Sequence, residues 1–179
     1  MEDKEILAKI RDTATREHGF SLLIKKYQQR IYWHIRKMVI DHDDTDDILQ
    51  EVFIKVWKGI GKFREDSSLF TWIYRIATHE SLNFLSRKKR RSMFSFEDVS
   101  LELSRKLDQS TPLEGAEVEI KLQKALLKLP DKQRLVFNMK YFDDMKYEEI
   151  SAITDTSVGG LKASYHHAVK KIEEYLSGD

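Results

Sequence analysis

Along most of this chain apolar residues recur every three or four positions, and that spacing limits the fold more than any other feature: it is the period of an α-helix packed on one side. Phe20, Leu23, Ile24, Tyr27, Ile31, Ile35, Met38 and Val39 form one stripe. The acidic run Asp41 to Asp47 ends that helix and starts another, with Asp43, Asp44 or Thr45 as cap. The second helix carries Ile48, Leu49, Val52, Phe53, Val56 and Trp57, and Gly59 and Gly61 close it. A third opens after Asp66-Ser67-Ser68, runs through Leu69 to Leu85 and ends in the basic run Arg87 to Arg91. Residues 92–118 lose the periodicity and read as a linker, with a short transient helix at 97–107. From Glu119 the pattern resumes through Ile120, Leu122, Ala125, Leu126 and Leu129, until Leu129-Pro130-Asp131 breaks it. Gln133 to Tyr141, Lys146 to Ile153 and Val158 to Leu176 are three further helices, with turns at Phe142–Met145 and Thr154–Ser157. Only 7 Gly and 2 Pro in 179 residues favour helices over a turn-rich β architecture. The expected fold class is all-α. Two small helical domains, 1–91 and 119–179, are joined by a flexible acidic linker over 92–118, and the C-terminal domain carries a helix-turn-helix.

Charge is balanced in total, 31 Lys and Arg against 30 Asp and Glu, but the signs are segregated along the chain. Residues 1–51 are net −2 (nine bases, eleven acids), and 52–91 are +7 (ten bases, three acids). Residues 92–119 are −5 (two bases, seven acids), and 120–179 are +1 (ten bases, nine acids). With 41% hydrophobic residues the chain can bury a core, so general disorder is excluded. With no Cys it has no disulfide scaffold, thiolate metal site or cysteine nucleophile. No apolar run reaches the roughly 20 residues of a membrane span, and the charged start leads into no signal region, so a soluble protein of a reducing compartment is expected.

Tyr147, Ile150 and Ile153 on the short helix, a turn of about four residues, and a longer helix packed through Val158, Leu161, Tyr165, Ala168, Ile172 and Leu176 fit a helix-turn-helix. The opposite stripe holds Gly159, Ala163, His166 and Lys170, with Lys162 and His167 at its edges, and no acid until Glu173. Small and basic residues there allow close approach to DNA. An ordinary helical hairpin has the same apolar pattern. Residues 62–91 interleave bases with aromatics: Lys62, Phe63, Arg64, Phe70, Trp72, Tyr74, Arg75 and then the run Arg87 to Arg91. Bases attract phosphates and aromatic faces stack on unpaired bases, as a single-strand surface requires. Core packing explains Phe70, Ile73, Ile76 and Ala77, and explains Trp72 and Tyr74 equally well. The acids of 41–47 lack the glycine and terminal Glu of a calcium loop and are read as helix caps. His166 and His167 are adjacent and diverge by about 100° on a helix, so they do not share a metal. No nucleophile–base set or Gly-rich phosphate loop is present. No enzymatic activity, cofactor or metal is expected.

Three stretches carry a family resemblance: Asp46-Asp-Ile-Leu-Gln-Glu-Val-Phe-Ile-Lys-Val-Trp57, Phe63 to Ala77 followed by Asn83-Phe-Leu and the basic run, and Leu129-Pro-Asp-Lys-Gln-Arg-Leu-Val-Phe137 with the helix-turn-helix. In this order, over about Phe20–Arg91 and Glu119–Leu176, the chain resembles a bacterial sigma factor of the extracytoplasmic-function (ECF) group of the sigma-70 family. The resemblance implies that 1–91 is a region-2 domain and 119–179 a region-4 domain. It implies a protein that binds core RNA polymerase, recognises the −10 and −35 promoter elements and promotes DNA melting in the cytoplasm. By matching position, Asp47, Gln50, Glu51 and Ile54 dock on the polymerase. Phe63, Arg64, Asp66, Ser67 and His79 line a pocket for a flipped −10 base, and Trp72, Tyr74, Arg75, Asn83, Arg87 and Lys88 extend that surface along the helix. Lys162, Ala163, His166, His167 and Lys170 meet the −35 element. The chain departs from a common family pattern at His79, where Asn is frequent, and at His167, where Arg is frequent. The implied partners are core polymerase and promoter DNA, together with an anti-sigma factor of the membrane-anchored kind that holds many relatives inactive. The linker's charge suits a channel built for nucleic acid. The competing readings are a helix-turn-helix regulator that never binds core polymerase and a purely protein-binding helical module.

Overall fold

The structure is a computed structural model that describes residues 1–91, 105 and 116–178. Most of the expected linker, including all of its expected short helix at 97–107 except Arg105, lies outside the described residues. The first helix is one the apolar spacing did not reveal. α1 (Asp3–Arg11) opens with the Glu2 backbone N–H donating to Glu5 Oε2 at 3.0 Å and buries Ile6, Leu7 and Ile10. It crosses α2 (Arg16–Val39) at Gly19, where a Cβ would lie 2.8 Å from the Ile10 nitrogen. Only glycine permits that approach.

α2 ends at Ile40, a β-branched residue at φ 67°. That conformation costs about 1–2 kcal/mol, and the burial of the Ile40 side chain offsets it. α3 (His42–Gly59) is capped by Asp41, whose Oδ1 accepts the Asp44 N–H at 2.9 Å. The cap thus falls two residues before the earliest expected one. Asp41 takes the extended backbone of an N-cap, while Asp43 and Asp44 lie inside the first turn and favour its dipole. Thr45, expected as a cap, is buried and donates to the Asp41 carbonyl at 2.6 Å. After the short 3₁₀ turn Ile60–Lys62, α4 (Leu69–Arg91) is capped by Ser68, whose Oγ accepts the Thr71 N–H at 3.0 Å.

The C-terminal group begins with α5 (Ala116–Leu127), three residues before the expected resumption. α6 (Asp131–Phe137) widens into a π-turn over Asn138–Phe142. α7 (Tyr147–Thr154) ends at Asp155, φ 53°, and Ser157 Oγ caps α8 (Val158–Ser177) by accepting the Gly160 N–H at 3.1 Å. Leu176, expected on the inner stripe, is exposed; Tyr175 packs instead. Among the described residues there is no strand, and no helix is long and apolar enough to cross a membrane.

One core joins the two groups. Leu135, Val136 and Met139 from α6 and its turn, with Ile150 and Ile153 of α7, merge with Ile31, Ile35, Ile73 and Ala77 of α2 and α4. A second cluster, Ala125, Leu126, Leu129, Phe137, Ala168 and Ile172, holds the C-terminal group together. The sequence predicts two domains on a tether. The structure has both helical groups, and it has them packed on each other through α4 and α7.

Candidate nucleic-acid interface

α8 separates its two faces cleanly. Leu161, Ala168 and Ile172 are buried, while Lys162, Ala163, His166, His167 and Lys170 are all exposed. Tyr165 supports the helix from within, its ring centroid 5.7 Å from that of Phe137. Burial pushes its phenol above the ordinary range. The exposed stripe presents two lysines and two imidazoles with no carboxylate before Glu173. It can meet phosphates along its edges and leaves the small Gly159 and Ala163 facing outward.

On α3, Asp47, Gln50, Glu51 and Ile54 share one exposed face at spacings of three and four, and Ile54 is one of the few large exposed apolar residues. The opposite face buries Ile48, Val52 and Val56. Such a mixed polar and apolar surface suits a protein partner.

The loop ahead of α4 is held in place by α1. The Arg11 guanidinium donates to Glu65 Oε1 at 2.6 Å and to the Phe63 carbonyl at 3.5 Å, and Glu65 sits at φ 60°. Arg64 and Asp66 pair at 3.3 Å and are strongly exposed; Ser67 is half-buried beside them. Phe63, expected to line a base pocket, is 8% exposed and packs against Trp72 with ring centroids 5.0 Å apart. Its ring belongs to the core, at the junction of the 3₁₀ turn and α4. Tyr74, expected on the DNA surface, is likewise fully buried. Trp72 is half-buried, and Asn83 and Arg87 are exposed. Lys88 lies 3.9 Å from Asp44. His79 is ten residues into α4, about 15 Å along the helix from the loop.

The middle of α4 is covered by the C-terminal group. Arg75 Nε donates to the Ala152 carbonyl at 3.1 Å, and its Nη2 donates to the same oxygen. His79 lines a crevice of about 80 Å³ with Lys132, Val136, Thr154 and Thr156. Asp143, in the turn after α6, receives Lys37 Nζ on one oxygen and the Tyr74 hydroxyl at 2.6 Å on the other. The His34 ring stacks on Tyr74 at 4.1 Å, with Nδ1 3.9 Å from Asp143 and Nε2 2.9 Å from Thr78 Oγ1. Burial pushes the His34 pKa down to about 4 despite the pull of Asp143, so the imidazole is neutral near pH 7 and makes no ion pair with the carboxylate. Burial and then Asp143 push the Tyr74 phenol far up. Arg134 of α6, 1% exposed, donates through Nη2 to the Met38 carbonyl at 2.9 Å in the last turn of α2. The spacing of apolar residues singles out none of His34, Lys37, Arg134 and Asp143. One signal was available: His34 interrupts the apolar series 27, 31, 34, 38.

Comparison with known proteins places both halves. The family described as Sigma-70 region 2 matches residues 23–91, and that described as Sigma-70, region 4 matches residues 119–172. RNA polymerase sigma-H factor of Pseudomonas aeruginosa is 29% identical over 170 residues, 89% of this chain and 87% of that protein. ECF RNA polymerase sigma-E factor of Escherichia coli K12 is 29% identical over 165 residues, 88% of this chain and 86% of that protein. Among solved structures, CnrH in complex with the cytosolic domain of CnrY aligns with a TM-score of 0.71 at 21% identity, covering 99% of this chain and 98% of that one. The sigma factor RpoE in complex with the anti-sigma factor NepR from Bartonella quintana gives 0.66 at 19% identity, covering 89% of this chain and 98% of that one.

Proposed function

The chain belongs to the sigma-70 family, in its ECF group, as a promoter-recognising sigma factor of transcription initiation, and from that premise we propose which of its surfaces does which part of the work. Residues 1–91 act as the domain that docks on core polymerase and holds the −10 element, 92–118 as the linker and 119–179 as the −35 domain. Asp47, Gln50, Glu51 and Ile54 on α3 form the polymerase contact. Arg64, Asp66, Ser67, Trp72, Arg75, His79, Asn83, Arg87 and Lys88 form the −10 surface, with Phe63 and Tyr74 supporting it from beneath. Extruding a base costs a few kcal/mol, which stacking and edge hydrogen bonds on this surface must repay. Lys162, Ala163, His166, His167 and Lys170 read the −35 element, Ala163 offering only an apolar contact such as one to a thymine methyl.

The observation that carries the assignment is the acid-free exposed face of α8 set against its buried inner face. With a net charge of only +1 over 120–179, that domain binds DNA weakly by itself. Specific binding arises when polymerase holds both domains on one promoter, because the second contact is then intramolecular. The chain works in the cytoplasm beside polymerase. An anti-sigma factor is a further partner, as in the complex of RpoE with NepR. The test is run-off transcription from a library of promoter fragments with purified chain and core polymerase. A transcript that needs both components is expected. DNA binding without any complex with core would instead identify a polymerase-independent regulator. Within that assay Arg64→Ala should slow promoter melting and leave core binding intact; equal loss of both counts against the −10 assignment.

A further inference from the structure

We propose that His166 and His167 hold −35 phosphates only in their protonated forms, so that promoter engagement takes up protons and promoter affinity climbs as pH falls. The proposal rests on the −35 reading of α8. Histidine is the one side chain whose charge ordinarily changes between about pH 5 and pH 8. The outer face of α8 carries two lysines, whose charge is permanent there, and two histidines, whose charge is not.

Position decides what each ring can meet. Adjacent residues diverge by about 100° on a helix, so the two imidazoles flank the face rather than share its centre. Gly159, Ala163 and Lys170 fall between their directions. In a groove the centre of such a face approaches base edges, and its flanks approach the phosphates of the two walls. Both rings are exposed, with centroids 6.1 Å apart and planes tilted by 57°. Among the described residues neither ring has a hydrogen bond or an ion pair, so both keep their donors for a ligand. On α8 itself Lys162 lies four residues before His166, and Lys170 and Lys171 lie four after His166 and His167 in turn. Glu173 and Glu174 follow seven residues after them, about 10 Å along the axis. The nearest lysines are occupied by the elements beneath. Gln133 of α6 receives Lys171 Nζ at 3.4 Å, and the Tyr147 ring of α7 receives Lys162 Nζ at 5.8 Å. In the turn after α5, Lys128 lies over the Tyr175 ring.

A neutral imidazole offers one N–H and no charge, whereas a protonated one offers two N–H groups and a charge. A phosphate within ion-pair reach favours the charged form, so DNA and protons strengthen each other's binding. The consequence is large for this domain because it begins near neutrality: two protons take residues 120–179 from +1 to +3. Each further phosphate neutralised adds about 0.9 to the slope of log affinity against log salt.

The test uses holoenzyme made with the full-length chain and a promoter fragment recovered from the run-off library. Circular dichroism first verifies the helicity of every variant at both pH values. The parent should bind the fragment at least about tenfold tighter at about pH 6 than at about pH 8, with a salt slope steeper by up to about two. His166→Gln with His167→Gln keeps hydrogen bonding without the charge, and should bind at both pH values as the parent does at the higher one. His166→Lys with His167→Lys should bind tightly at both. A Gln pair that retained the parent's pH dependence would overturn the proposal, and so would a parent whose affinity does not move with pH. A second fragment lacks the −35 half and separates the two ways of failing. If parent and variants bind it as tightly as the whole fragment, the −35 reading falls and the proposal with it. If they all lose affinity on it, yet the parent and the Gln pair respond to pH alike, the reading stands and only the proton linkage is overturned.

Discussion

The outer faces of α8 and α4 are both assigned to DNA, yet they differ in what holds them in view. The α8 face is exposed from Lys162 to Lys170, and only the helix's own inner stripe is needed to orient it. The α4 face is divided: His79, Asn83 and Arg87 are exposed, while Tyr74 and Arg75 lie under α7 and the turn that carries Asp143. The first face is a property of one helix. The second depends on contacts between residues 69 and 77 positions apart.

The largest expected effect bears on that dependence. Arg134→Ala removes a buried guanidinium and leaves the Met38 carbonyl and Asp131 facing a void, which should cost about 3 kcal/mol in urea unfolding. Arg134→Met keeps the volume without the charge and should recover most of that loss. Equal destabilisation by both would mean that the charge matters for more than its partners.

This is also where reading the sequence stops. The face of α8 was legible because its signal repeats every three or four residues within one element. The helix order, the helix-turn-helix and the exposed face of α3 were legible on the same ground. The seam was not, because nothing local distinguishes Asp143 in an acidic turn, or Arg134 in a short helix, from an ordinary solvated charge. Phe63 and Tyr74 failed for a related reason: an aromatic residue among bases has the same local pattern whether it stacks on a nucleotide or on Trp72 and His34.

Next in size is a pH effect confined to the α4 side. The folded pKa of His34 is lowered to about 4 from an ordinary value near 6.5. The unfolded chain therefore takes up the proton first, and stability is lost as pH falls from about 6.5 towards 4, by at most about 1.4 kcal/mol per unit. Lys37, Tyr74, Thr78 and Asp143 face the ring. Urea midpoints at about pH 7 and about pH 5 should lie closer together in His34→Gln than in the parent. An identical acid loss in both proteins would remove His34 from the account.

On the α8 side, Lys162→Glu should weaken −35 fragment binding by holoenzyme roughly tenfold and reduce the slope of log affinity against log salt by about one, with urea stability unchanged. A loss of stability instead would mean that α8 is less independent than its exposure indicates. The smallest effect is expected at Ile40, which touches neither face. Ile40→Gly relieves the positive-φ strain and forfeits a buried side chain, so unfolding should shift by less than about 1 kcal/mol.

Arg11 gives α1 a reach that its position in the chain conceals. Gly19 seats the helix against α2, and the guanidinium then grips Glu65 and the Phe63 carbonyl, more than fifty residues downstream. An affinity tag fused ahead of Asp3, or a proteolytic nick within the first turn, is consequently no neutral handle. It would register as a change in how promoters open, in a preparation whose helicity and binding to core polymerase both looked sound.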